Sequence, residues 1–557
     1  MEATLWGSGA WANGTDWSGA GTVVTGTVNV WGDPAFVDPD SGDYHIGPGS
    51  AAIDAGVDAG VVVDMDGEPR PVGCGYDIGA DEVQAQVRYV ATDGADSGDC
   101  STPAGRCLAV QYAVDQAWMG DEIRVASGVY TGVNSYGGQS QQVYISKSIT
   151  VRGGYTTTNW ATADPEAYVT VLDAQRAGNV IFITGTISVT VEWLHITGGD
   201  AYVVSTYPRG ESGGGLASAL VPTMTGRDQS LDFSYGGGIW VEGAAAVINS
   251  NWVYSNTAAY GGGVFLGAAN ADLIGNMITT NTAKLWGGGL STYQCPEVVL
   301  VGNLVVSNTA LQGGGLLMSV ISAALRGNLI SANYGEIGGG GLQIGAEQVT
   351  LDGNMIVGNS TGGQGGGLSL GADNATLRNN VIADNRALIA GGGLVILDAG
   401  YADVSAHDLL HNTVARNQAG DGSGILVVDW GEDDVTVALT NTVLVSQTVG
   451  ISVSAGNTVT LQGTLWGSGA WANGMDWGGD GSILTGTVNV WGDPVFVDPA
   501  AGDYHIGPGS AAIDAGVDAG VLVDMDGEFR PAGRGYDIGA DEYAAGPTML
   551  YLPLILR

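Results

Sequence analysis

Five cationic side chains in the middle of the chain, Lys284, Arg326, Arg378, Arg386 and Arg416, are the groups whose type suits them to chemistry. Arg386 and Arg416 are 30 residues apart, with Asp384 and Asp408 close by, so a layered architecture could place them on adjacent layers. An arginine within reach of the proton alpha to a uronate carboxylate could act as base, with a cation neutralising the acid group, which would be lyase chemistry. On that reading Arg386, Arg416 and Asp384 are the catalytic candidates of an extracellular polysaccharide lyase or glycoside hydrolase acting on an acidic polysaccharide. The competing reading is of arginines scattered over a solvated face, with no catalytic residue. Hydrolysis by clustered aspartates with a Gly-His-Gly motif finds no support: the chain has no Gly-His-Gly, and Asp433-Asp434 reads as a turn. His407 and His411 are four apart in a strand-and-turn pattern, so they do not make a zinc site alone.

Carboxylates offer a second chemistry. Asp64-Met65-Asp66-Gly67-Glu68 and Asp524-Met525-Asp526-Gly527-Glu528 place oxygens at i and i+2 beside a glycine turn, which suits a hard cation. Asp64, Asp66, Asp524 and Asp526 are therefore candidate Ca2+ ligands, and no cofactor is required. They lack the remaining positions of an EF-hand loop, and aspartate also builds turns by accepting nearby backbone N–H groups. Tryptophan offers a third chemistry, since eight of the 15 lie in two short stretches. Of these, Trp11, Trp17, Trp471 and Trp477 could stack on sugar rings, or the same side chains could plug the end of a core. Cys100 and Cys107 bracket a turn-rich loop that could close as a disulfide, which favours an oxidising, extracellular location.

The elements that must position these groups show in the repeats. Gly triplets open at 236, 261, 287, 313, 339, 365 and 391, each followed by an aliphatic residue. Between them runs Asn-x-(Val/Ile)-x-x-Asn, from Asn276…Asn281 to Asn380…Asn385, with outlying members Asn251…Asn256 and Asn412…Asn417. A period of about 26 residues without helical periodicity describes a coil of three short strands and three turns. The triplet gives backbone freedom at one corner. The asparagine suits a second corner by tolerating left-handed backbone, and its stacked amides can bond from coil to coil. The fold expected is all-β, a right-handed parallel β-helix solenoid with an N-terminal capping helix and an Asp/Trp-rich C-terminal cap.

A larger repeat encloses the smaller one. Residues 4–82 and 464–542 align without a gap, with 13 differences over 79 positions. Together they hold 23 of the 40 net negative charges. This implies five segments. Residues 1–83 are the C-terminal cap module of a preceding, truncated unit, and 84–200 an N-terminal cap with the first coils. Residues 201–463 are the repeats, with a corner loop at 201–235; 464–545 is the second cap module and 546–557 a tail. The chain thus looks cut from a tandem array, or translated from an internal Met. In 84–200, Val110, Ala113, Val114 and Ala117 share one helical face, stopped by Gly120-Asp121. Strands are expected at 122–126, 143–145, 148–152 and 180–184.

Composition closes off other classes. The chain has 557 residues, 95 of them Gly, 45% hydrophobic and 13% charged, which suits a large core and excludes global disorder. A net charge of −40 with 17 basic residues repels phosphate, so nucleic acid is excluded as a partner. No apolar stretch reaches the roughly 20 residues that span a bilayer. The first residues, Met1 to Gly7, lack the basic and apolar regions of a signal peptide.

Tyr89-Val-Ala-Thr-Asp-Gly94, the Cys100…Cys107 loop, Gly120 to Tyr130 and Ser148 to Gly154 resemble the N-terminal part of bacterial pectate-lyase-like β-helix proteins. Gly-Ser-Ala-Ala-Ile-Asp-Ala-Gly at 49–56 and 509–516, with Asp-Met-Asp-Gly-Glu and Tyr-Asp-Ile-Gly-Ala-Asp-Glu, resembles the C-terminal region of choice-of-anchor Q domain proteins. The Gly-triplet and Asn markers are similar to repeats in polymorphic outer-membrane autotransporter passengers, which act as adhesins. The tail Tyr551 to Arg557 looks like a terminal signature of some exported bacterial proteins. The resemblance implies a secreted or cell-surface β-helix protein. Its expected role is adhesive or structural, filament- or array-forming and glycan-binding rather than enzymatic. Its expected partners are other copies of itself, neighbouring β-helix modules, and extracellular polysaccharide or a cell surface.

Overall fold

The computed structural model of the chain describes residues 3–19, 22–24, 28–47, 50–71, 75–83, 85–136, 138–201, 234–398, 404–429 and 434–544. Most of the corner loop expected at 201–235, the tail 546–557, Cys74 and Asp433 lie outside the described residues.

The alternation of apolar and polar residues builds a parallel β-helix with roughly 26 residues per turn. One coil runs Val264–Gly267, Asn270–Ile274, Met277–Thr279 and Thr282–Trp286. Each segment pairs in parallel with its counterpart one coil on: Leu266 with Thr292, Leu273 with Leu300, Ile278 with Val305, Thr282 with Thr309. There are thus four strand columns, where the sequence period suggests three. The fourth column forms a separate six-stranded sheet, from Thr257–Tyr260 to Arg386–Ala387. Its β-pattern is too short to read, because its strands are only two to five residues long. In three coils the first two segments fuse into one strand: Leu316–Arg326, Leu342–Asp352 and Leu368–Arg378.

Corners follow from steric limits. Gly261, first of its triplet, has φ +62°, a left-handed conformation that side chains disfavour. A Cβ on Gly262 would lie 2.5 Å from the Thr282 carbonyl oxygen and 2.6 Å from that of Gly288, so the next coil's backbone excludes it. The asparagines work differently from the expectation. The left-handed residue is the one before each: Thr280, Ser307, Ala332, Asp384 and Arg416 have φ between 53° and 57°. Each asparagine instead spends its amide. Asn276 Nδ2 donates to Asn303 Oδ1 at 3.0 Å and to Ile248 O at 2.6 Å, and Asn303 Oδ1 also accepts from Asn276 N at 2.9 Å. Two such buried ladders run from Asn251 to Asn412 and from Asn256 to Asn417. Stacking satisfies polar atoms that a buried corner would otherwise leave unpaired at a cost of about 1–3 kcal/mol each.

The N-terminal end matches its pattern. A helix at Val110–Gln116 buries Val110, Ala113 and Val114, and strands occupy Glu122–Ala126, Gln139–Ile145, Thr150–Tyr155 and Asn179–Thr184. The Asp96 carboxylate accepts from Leu108 N and Ala109 N at 2.9 Å, ordering the chain at the helix start.

At the other end, Trp466 is fully buried and closes the apolar core. Residues 475–492 add a last parallel coil whose Trp477 and Ile483 pack on that core, and only the part of the module after it leaves the end. After an antiparallel pair, Phe496–Asp498 with Asp503–Ile506, the chain to residue 543 runs back along the side of the solenoid. Phe496, Tyr504, Ile506, Ile538 and Ala540 pack against the outward face of the third column, on Val381, Ala383, Ala415, Val443 and Val445. This lateral strap is held by polar contacts too. Asn441 Nδ2 donates to Val517 O at 2.6 Å, Asn379 Nδ2 to Val523 O at 3.0 Å, and Ala540 N to Thr413 Oγ1 at 3.1 Å.

Candidate functional site

The predicted catalytic residues meet where the strap crosses the coils. Asp384 and Arg416 stand at the same corner of adjacent coils, each in left-handed backbone, so the pairing register stacks them. Arg416 grips Asp384 with two parallel bonds, Nε to Oδ1 at 2.7 Å and Nη2 to Oδ2 at 2.6 Å. Its Nη2 also donates to Pro499 O at 2.9 Å in the strap, and the guanidinium carbon lies 5.8 Å from the Tyr504 ring centroid. Tyr504 donates its hydroxyl to Asp384 Oδ2 at 2.5 Å. The carboxylate holds Arg416 firmly protonated, while burial pushes the Tyr504 phenol up from its ordinary range. A bidentate, protonated arginine is a fastener, not a base.

Arg386 does not join this cluster. It sits in the fourth column, where it pairs with Ser360 and then Gln418, two residues along from the corner. Arg378 is bound to Asp352 at 2.8 Å one coil below, and Asp408 points outward in the second column. Adjacency of coils was therefore legible for Arg416 and Asp384, and convergence of the two arginines is not found. A polar groove of about 620 Å³ opens beside the cluster, lined by Asp384, Arg416, Gln418, Ser446, Gln447 and Thr448. Gln447 continues the asparagine column after Asn417. It is buried, with neither amide atom hydrogen-bonded among the described residues. Its longer side chain overshoots the ladder position.

The two histidines are buried apart. His407 faces the core between Ala375 and Val437, and burial pushes its pKa down to about 4. His411 lies under the strap against Asn441 at 2.9 Å, with its pKa pushed down to about 3, chiefly by burial. A partner the sequence did not single out is Arg530. It is fully enclosed by the strap, 3.0 Å from Glu542 and donating to the carbonyls of Gly539 and Ala540. Its position in Asp-Gly-Glu-Phe-Arg, among acids, was the available signal.

Of the candidate cation ligands, Asp524 spends both oxygens on backbone. Oδ1 accepts from Asp526 N and Glu528 N at 2.9 and 2.8 Å, and Oδ2 from Glu542 N at 3.1 Å. Asp64 does the same with Asp66, Glu68 and Glu82. These two are the turn-builders of their loops, whereas Asp66 and Asp526 turn their carboxylates outward toward His45 and His505.

The candidate sugar-stacking tryptophans lean on other rings. Trp11 meets Phe36 and Trp471 meets Phe496, edge to face, at 5.2 and 5.1 Å. Trp17 and Trp477 lie 5.3 Å from Trp6 and Trp466. Trp31 and Trp491 are the more exposed pair, with indole N–H groups tied to Asp16 and Asp476. Cys100 and Cys107 are joined as a disulfide with Cα atoms 5.4 Å apart, and Cys295 is a buried thiol.

No family model matches the chain, and no curated protein matches it. Among solved structures, pectate lyase Pel9A is similar to it, with a TM-score of 0.40 and 13% identity over 83% of this chain and 97% of that one. Likeness at that level bears on neither substrate nor chemistry. Among the described residues no helix is long and apolar enough to cross a membrane.

Proposed function

We propose that this chain is a secreted or cell-surface β-helix scaffold, non-enzymatic, that assembles through its first module onto the coils of another copy. The observation that carries the reading is the unequal burial of one module present twice. In the second copy Tyr504 is 1% exposed, packed on the third column, and Val521 is 6% exposed. In the first copy the equivalent Tyr44 is 55% exposed and Val61 54%. The same docking surface is thus built twice and covered once.

A receiving face of matching kind exists. The second strap covers the outward third-column residues of four coils, at Met355 and Val357, Val381 and Ala383, Ala415, and Val443 and Val445. The same column continues on earlier coils as Trp252, Met277, Leu304, Val306 and Leu329, all partly or well exposed. Apolar surface of this kind drives association at about 25 cal/mol per Å² removed from water. The disulfide supports an oxidising location. The engagement of Arg416 by Asp384 argues against lyase chemistry at the one place where predicted catalytic residues meet.

Sedimentation velocity across a wide concentration range tests this. The parent chain is expected to associate with rising concentration, and Tyr44→Asp to remain monomeric. A parent that stays monomeric throughout sinks the assembly reading. A screen on acidic and neutral polysaccharides, with and without Ca2+, tests the non-enzymatic part. Unsaturated products or reducing ends that vanish in Arg386→Ala or Arg416→Ala would place the protein among the lyases or hydrolases.

A further inference from the structure

The assembly reading does not use the carboxylates and imidazole grouped on the other side of each module. Strand Asp503–Ile506 carries His505, the Asp524–Glu528 turn carries Asp526, and the last segment of the module carries Asp541. One ligand-type atom from each of the three lies within 4.8 Å of the other two. His45, Asp66 and Asp81 form the same group in the first copy. From this geometry we infer that each module holds one divalent transition-metal ion of the zinc class, bound by His505 Nε2, Asp526 and Asp541 and by His45 Nε2, Asp66 and Asp81.

Three features carry the assignment. The first is orientation of the imidazole. His505 Nδ1 lies 2.6 Å from Asp503 Oδ1 and Nε2 2.6 Å from Asp526 Oδ2, so with an ion bound Asp503 would hold Nδ1 as the N–H donor and turn Nε2 to the metal. A metal-binding histidine characteristically has its other nitrogen fixed by a carboxylate in this way. His45 repeats it, with Asp43 at 2.5 Å and Asp66 at 2.6 Å. The second is orientation of the buried carboxylate. Asp541 Oδ2 accepts from Ile506 N at 2.7 Å, which pins the group and leaves Oδ1 for a ligand; Asp81 is pinned the same way by Ile46 N at 2.7 Å.

The third is access and charge. The side chains of His505 and Asp526 are 41% and 24% exposed, so an ion and its waters can enter. Bonds of about 2.0–2.2 Å to nitrogen and oxygen place tetrahedral zinc ligands roughly 3.4 Å apart. The three groups lie within 4.8 Å, and an ion would replace the 2.6 Å contact of His505 Nε2 with Asp526 by spreading the two apart. The donor set decides the class of ion. Ca2+ takes six to eight oxygens and avoids nitrogen, whereas one imidazole with two carboxylates and open positions for water suits zinc and its neighbours. This moves the cation from the Asp-x-Asp turn expected of the sequence to a triad drawn from three segments. Asp524 and Asp64 drop out as ligands and become the turn-builders that aim Asp526 and Asp66.

The test is titration of the full chain, stripped with chelator, by Co2+ in 5 mM Ca2+, read by its visible absorption. Two equivalents are expected to bind, with displacement by Zn2+. His505→Gln and His45→Gln should each lose one equivalent, and the double variant both, with unchanged far-ultraviolet circular dichroism. Asp526→Asn serves as a second probe of the C-terminal site and should weaken it at least tenfold. Absence of specific Co2+ absorption in the parent overturns the assignment, as does displacement of Co2+ by Ca2+. So does retention of both equivalents in the folded double variant.

Discussion

Tyr504 and Tyr44 occupy the same place in two copies of one module, and only Tyr504 is covered, 1% exposed against 55%. Removing Tyr504 opens a cavity between strap and coils and frees Asp384 from one partner. Tyr504→Ala should cost about 3–5 kcal/mol, the usual loss for a large buried aromatic side chain. Tyr44→Ala should change stability by less than about 0.5 kcal/mol in the monomer. Denaturant unfolding of both variants at low protein concentration checks the contrast, and equal losses would refute it.

The first asparagine ladder stops after Asn412, at Thr442, and the second is interrupted after Asn417 at Gln447 and resumes at Asn473, which accepts from Gln447 N at 2.9 Å. The side-chain polar atoms of Thr442 and Gln447 are unbonded among the described residues. Shortening Gln447 by one methylene places an amide in register. Gln447→Asn should therefore stabilise the chain by about 1–2 kcal/mol, by supplying a partner to buried polar groups. Asn354→Ala, in the middle of a ladder, should cost more than that gain, since it strips partners from Asn328 and Asn380 at once. Thermal unfolding decides both signs.

His407 faces the core with neither ring nitrogen bonded among the described residues. Its folded pKa, pushed down to about 4 by burial, lies below the ordinary 6.5. The neutral ring is therefore what the fold accepts. Its contribution is undiminished above pH 6.5 and is lost as pH falls toward 4, because the unfolded chain takes up the proton first. The carboxylate of Asp398 is the charged group that opposes this shift. His407→Leu should raise stability at pH 7 by about 1–3 kcal/mol. The advantage should widen on acidification by up to about 1.4 kcal/mol per pH unit. An advantage that shrinks between pH 6.5 and 4.5 would contradict the assignment.

Arg530 is enclosed by the strap with Glu542 as its charged partner. Arg530→Met leaves that carboxylate buried and unpaired, a loss of about 3–5 kcal/mol. The damage should be local. Hydrogen exchange is expected to quicken across 514–542 and at His411, while the coils from 264 to 360 keep their protection. Uniform loss along the solenoid would show that the strap and coils unfold as one unit.

Periodicity alone determined the solenoid: glycines and asparagines spaced by one coil can be satisfied only by stacking, so their register is written in the chain. The duplicated module, the helix at 110–116 and the closeness of Asp384 to Arg416 followed from the same local spacing. Which face a module covers was decided only in three dimensions. Residues 496–543 reach coils as far as 151 positions away, as where Arg530 meets Asn379, and no local pattern encodes so distant a surface. The histidine–aspartate triads were hidden for the same reason. The sequence displays Asp524 and Asp526 side by side, but backbone N–H groups claim the first, and the fold brings His505 and Asp541 to the second from 21 positions before it and 15 after. Spacing along a strand or coil fixes local partners; long-range packing chooses which atoms are left facing a ligand.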